Sequence, residues 1–181
     1  MTIEPENKNW TWVLERPCPE CGFDTQSFPS TDLARLVRDA GKPWRELLAH
    51  PLVRVRPADD RWSALEYGCH VRDVFQLGVS RANRMLLEDN PSFANWDQDE
   101  TAVAEHYELQ DPLTVADDLS AASTALADIY ETVSGKQWDR PGTRSDGSPF
   151  TVETFGRYFL HDPVHHVVDV QKGLALLQGP P

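Results

Sequence analysis

The stretch YFLHDPVHHVVDV, residues 158–170, sets three histidines and two aspartates into an apolar run. On an α-helix, positions four apart lie one above the other on the same face. His161 and His165 have that spacing, so both imidazoles can reach one point beside the helix. His166 falls about 100° further round and stands over Asp162, as His165 stands over Asp169. Two imidazoles supply half a metal site, and a third ligand has to come from another segment. His70, in EYGCHVRDV, is the best placed candidate, because helix bundles build cofactor sites from side chains on facing helices.

Three histidines around an open position form the donor set of a reactive zinc or a related divalent ion. A ligating imidazole usually donates its other ring N–H to a carboxylate, a role open to Asp73, Asp162 and Asp169. Pro163 lies between the paired histidines and predicts a bend there, which could swing His166 in as an alternative ligand. The plainer alternative is two partly exposed histidines, or a pair hydrogen-bonded within a core.

A second set of metal-type residues stands at the other end of the chain. Cys18 and Cys21 in CPECG resemble one knuckle of a zinc ribbon. A ribbon needs two knuckles and this chain has one, so a separate zinc, an oxidisable dithiol and an uncommitted turn all stay open. Cys69 adjoins His70 but faces another side of its helix and reads as a core residue. His50 and His106 read as structural, and most of the six tryptophans as core or staple residues. Trp96, in the loop NWDQDE, is the exception, placed to border a metal site.

These residues need helices to carry them. The first is predicted over residues 30–50, with Ser30 or Thr31 as its cap and an interruption at Gly41 and Pro43. WSALEY starts the next: Ser63 and Glu66 make a capping box, Trp62 and Tyr67 a hydrophobic staple, and the helix runs to about Glu88. A short helix through ETAVAEHY and a long one over residues 114–135 follow, the latter capped at its end by Gly135. RPGTRSDGSPF reads as a turn-rich connection, and the fourth long helix runs from Val152 to about Leu177 behind Thr151. PLVRVRP alternates like a strand but is boxed in by Pro51 and Pro57. The expected fold is an all-α four-helix bundle over residues 30–181 behind an irregular N-terminal extension, residues 1–29.

WSALEYGCHVRDV, NWDQDE and YFLHDPVHHVVDV together resemble the DinB-like superfamily over residues 30–178. The likeness is closest to its actinobacterial thiol-dependent branch, which holds mycothiol S-transferases and the maleylpyruvate isomerase N-terminal domain. This resemblance implies an up-down-down-up bundle, often a homodimer. It also implies a divalent metal, zinc or nickel, on one histidine of the second helix and an HxxxH pair of the fourth, here His70, His161 and His165. The CPECGFD segment lies outside the family pattern.

The net charge of −12 argues against nucleic acid and anionic lipid as partners. No apolar run approaches the ~20 residues of a membrane helix, and MTIEPENKNWTWVLERP lacks the features of a signal peptide, so a cytoplasmic protein is expected. The resemblance points to an S-transferase, in which the cation lowers the pKa of a small thiol and its thiolate attacks an electrophilic substrate. The alternatives are a hydrolase or isomerase at the same metal, and a bundle that binds a small ligand without reaction.

Overall fold

The computed structural model describes residues 10–179, so the start of the N-terminal extension and the final two prolines lie outside the described residues. Six α-helices are present among the described residues: α1 (Leu33–Gly41), α2 (Trp44–Leu48), α3 (Ala64–Leu87), α4 (Gln98–Ala104), α5 (Pro112–Thr132) and α6 (Val152–Gln178). The fold is all-α, with a four-helix core made by α1 with α2, α3, α5 and α6. Helix α1 packs on α5 and α6, and α3 packs on the same two. Leu65, Phe75, Leu119, Leu126, Phe155 and Leu160 fill the centre, all buried.

Local sequence explains where these helices begin. Ser63 and Glu66 form the expected capping box, with Ser63 N donating to Glu66 Oε2 at 2.8 Å and Glu66 N to Ser63 Oγ at 3.3 Å. Trp62 and Tyr67, on either side of that cap, meet with ring centroids 5.5 Å apart. Thr151 caps α6 through the N–H of Thr154, and the helix then runs without interruption across Pro163. The predicted first helix is two pieces, α1 and α2, divided where Pro43 cannot donate an N–H.

Helix α5 starts earlier than predicted, at Pro112 behind an Asp111 cap, and stops at Thr132. Gly135 is therefore not its cap; it adopts φ +52° at the head of a 3-10 turn, Gly135–Asp139. The connection to α6 holds a hairpin of β2 (Pro141–Arg144) and β3 (Pro149–Thr151), and β1 (Ser92–Phe93) pairs parallel to β2. Short segments with prolines at their ends escape a search for alternating apolar residues, which is why this sheet was not legible. Its effect is to hold Arg144 beside α6, donating to Tyr158 Oη at 3.2 Å.

The described part of the N-terminal extension lies along α6. Thr25 Oγ1 donates to the Val13 carbonyl at 2.6 Å, Arg157 donates to the Thr25 carbonyl, and Val13 is fully buried. Among the described residues no helix is long and apolar enough to cross a membrane.

Candidate metal centre

Helix α6 presents its polar residues as two interleaved pairs. His161 and His165 face the N-terminal extension, and Asp162 with His166 faces α3. Each pair meets ligand-type atoms from another part of the chain. Cys18, Cys21, His161 and His165 form one group, and His70, Asp162 and His166 another; within each, the ligand atoms lie within 4.8 Å of one another. The chain thus holds buried His, Cys and Asp clusters able to coordinate a divalent metal. Of the three histidines assigned to one metal by sequence, His161 and His165 stand in the first group and His70 in the second.

The group around His70 opens onto a cleft of about 640 Å³. His70 is fully buried in the second turn of α3. Its ring stacks on Trp96 at 5.4 Å and 8°, so the NWDQDE loop does border the site, and Trp62 covers it from another side at 5.4 Å. Its Nε2 lies 3.2 Å from Asp162 Oδ1, and the His166 Nε2 is 3.8 Å from Asp162 Oδ2. Burial works to raise the Asp162 pKa, but the positive ends of His70 and His166 outweigh it and hold the carboxyl below the usual range.

Asp169 orients the other side of His166, whose Nδ1 is 2.9 Å from Asp169 Oδ2. An ionised carboxylate only accepts, so this contact keeps a proton on Nδ1 and turns the Nε2 of His166 toward Asp162. Burial also works to raise the Asp169 pKa, and the His166 contact lowers it below the usual value. Asp73 has a different use. It accepts from the Tyr107 hydroxyl and, at 2.8 Å, from Arg72 Nε, which ties α3 to the Tyr107–Leu109 turn.

In the other group, Cys18 Sγ lies 3.6 Å from His165 Nδ1 and Cys21 Sγ lies 3.7 Å from His161 Nε2. Burial, with the neighbouring His165, pushes the His161 pKa down to about 4, and burial lowers that of His165. Both rings are therefore neutral near pH 7 and keep a lone pair for a ligand. Burial pushes the Cys21 thiol up to about 11 against the Phe23 N–H, which favours its thiolate. Cys69 is a core residue, its thiol raised to about 12 by burial and directed at the Tyr107 carbonyl.

Sequence reasoning overlooked one lining residue, Arg81. It is only 8% exposed and reaches the cleft from α3, with one N–H donating to the Ala94 carbonyl at 2.7 Å. Burial first, then the charge of Arg144, lowers its pKa to about 10. No described carboxylate pairs with it. An arginine on an amphipathic helix gives no sequence sign of such a position, since the loop that buries it is folded back on α3 by the pairing of β1 with β2, which periodicity does not show.

A family model described as the DinB superfamily matches residues 35–170 of the chain. No curated protein matches it significantly. Among solved structures the chain is similar to YfiT from Bacillus subtilis, a probable metal-dependent hydrolase with an unusual four-helix bundle topology. That likeness has a TM-score of 0.72 at 14% identity and covers 92% of this chain and 98% of YfiT.

Proposed function

The chain belongs to the DinB superfamily, and from that premise we propose that it is a metal-dependent hydrolase acting on a small acidic molecule. The observation that carries this reading is the group of His70, Asp162 and His166 at the wall of the cleft. Two imidazoles and one carboxylate are a donor set for zinc and related ions, and three protein ligands leave a position open to the cleft. The residues fit a cation, because the Asp162 carboxylate stands 3.2 Å from His70 Nε2 and 3.8 Å from His166 Nε2 and keeps one buried oxygen, Oδ1, that no hydrogen bond satisfies. When bound, a divalent cation there supplies Lewis-acid polarisation and makes water acidic enough to act as a nucleophile near neutral pH.

The chain's own residues prepare the rest. Asp169 sets the tautomer of His166, while Trp62 and Trp96 hold the His70 ring and exclude water from its faces. Arg81 is a buried cation with no carboxylate partner among the described residues, a costly arrangement that an incoming carboxylate or phosphate would relieve. It lines the same cleft as the three ligands and so can anchor the acidic end of a substrate.

Thiol transfer of the mycothiol type is the second reading, favoured by the resemblance of WSALEYGCHVRDV and YFLHDPVHHVVDV to that branch. The resemblance puts its metal on His70, His161 and His165; carried to the His70, Asp162 and His166 group, it differs from hydrolysis in requiring a thiol. The test is turnover of a panel of acidic esters and amides by zinc-loaded protein, with and without a low-molecular-weight thiol. Hydrolysis that needs metal and no thiol is expected; turnover only with thiol would hand the reaction to the transferase reading. On any substrate found, Arg81→Met is expected to raise KM about 10–100-fold, the worth of a hydrogen bond to a charged group. KM for the neutral methyl ester of that substrate should stay unchanged, which Michaelis curves on the pair will check.

A further inference from the structure

We propose that Cys18, Cys21, His161 and His165 bind a second, structural zinc ion that fastens the N-terminal segment to α6. The spacing is C-x2-C with H-x3-H, the ligand pattern of a closed zinc site, although the two halves here are far apart in the chain. A tetrahedral zinc with bonds of about 2.3 Å to sulfur and about 2.0–2.1 Å to nitrogen sets each sulfur about 3.6 Å from each nitrogen. The two measured separations are 3.6 and 3.7 Å.

The surroundings are those of a structural site. Cys18, His161 and His165 are 1%, 5% and 6% exposed. Four protein donors leave no position for a substrate, whereas the His70 group supplies three. Cys18 and Cys21 sit in a tight turn closed by Gly22 N donating to the Cys18 carbonyl at 2.8 Å, and Gly22 takes φ +75°, which favours glycine. His165 directs Nδ1 at Cys18 and its other nitrogen at carboxylates, 3.4 Å from Asp169 and 3.7 Å from Glu20. That is the carboxylate–histidine–metal arrangement that orients ligating imidazoles.

The site also explains how a segment with little regular secondary structure stays on α6 and forms part of the cleft wall, through Trp10 and Glu20. Trp10 lies against both histidines, with ring centroids 5.4 Å from His161 and 5.1 Å from His165. Because Asp162 and His166 each follow a zinc ligand by one residue, fixing His161 and His165 fixes the rotation of α6 about the neighbouring group.

Cobalt replacement tests this in the full-length chain, since only thiolate ligands give cobalt a sulfur-to-metal charge-transfer absorption and the His70 group has no sulfur. Titration of metal-free protein is expected to develop that absorption to one equivalent per chain, and zinc should bleach it. Bound zinc should also slow alkylation of Cys18 and Cys21 by about a hundredfold, read by mass spectrometry. Cys18→Ser with Cys21→Ser is expected to lose the absorption and one equivalent of zinc while keeping the metal of the His70 group. If the wild-type chain shows no thiolate absorption with cobalt, or both cysteines alkylate equally fast with zinc present, the site is a pair of thiol–imidazole contacts and the proposal is overturned. Those two measurements need no variant and stand even if the double substitution does not fold.

Discussion

His70→Ala is expected to remove the metal of the His70, Asp162 and His166 group and to lower kcat/KM by about 10³-fold or more, a barrier increase of about 4 kcal/mol. The reason is geometric. His70 is the only member of the group that comes from α3, and the other two lie one turn apart on α6. Without it, two donors on a single helix face hold a cation poorly. Alanine also leaves a hole between Trp62 and Trp96, so His70→Gln serves as a companion that keeps most of the volume. Asp162→Asn removes the only negative charge among the three donors with almost no change in size. All three variants are expected to fall together in metal content and turnover. Metal analysis of each purified variant, beside kcat/KM and a thermal melt, checks this. Wild-type turnover with a near-native melt in His70→Gln would show that the metal sits elsewhere or that none is needed.

The interleaved pairs on α6 were legible because they depend on helix period alone. HDPVHH gives His161 over His165 and Asp162 over His166 once a helix is granted, and Thr151 starts that helix where expected. What each pair faces was not legible. The Cys18–His165 contact closes a sequence separation of 147 residues, and the packing of the N-terminal segment on α6 decides it. Periodicity says nothing about that packing. CPECG and HxxxH are each half of a four-ligand pattern, but a ribbon completes its first knuckle with a second pair of cysteines, so nothing in either motif points to the other. The His70 group shows the complementary limit. That His70 belongs to a metal-type group followed from its place in a capped helix, whereas its partners depend on how α3 and α6 are rotated against each other. The small sheet was lost for want of any alternating run, and with it the position of Arg144 and the loop over Arg81.

Glu66→Ala is expected to be among the most destabilising single changes away from the core, at about 2–4 kcal/mol. The carboxylate has two tasks. It accepts the Ser63 N–H that would otherwise be unsatisfied at the start of α3, and it pairs with Arg56 through Nε at 3.0 Å and through a second nitrogen. The Glu66 side chain is 3% exposed and that of Arg56 is 37%. Burial alone would raise the Glu66 pKa, but the Arg56 and Ser63 contacts outweigh it and lower it from the ordinary value of 4.5. Arg56 can turn toward water when its partner is lost, which keeps the cost below that of a fully buried broken pair. At roughly 2–4 °C per kcal/mol for a chain of this size, the melting temperature should fall by about 5–15 °C at pH 7. Glu66→Gln should fall between the two, since its carbonyl oxygen can still accept from Ser63. The pH dependence has a definite sign: a lowered folded-state pKa adds stability above the unfolded value and loses it as pH drops through the folded value. Melts of wild type and Glu66→Ala should therefore differ most near neutrality and draw together as the pH falls below the ordinary carboxylate value of 4.5. The same turn places Trp62 against His70 and Tyr67 against His166, with centroids 5.4 and 4.9 Å apart. Fraying it should loosen both imidazoles, so metal retention is expected to fall in Glu66→Ala even at temperatures where the bundle stays folded.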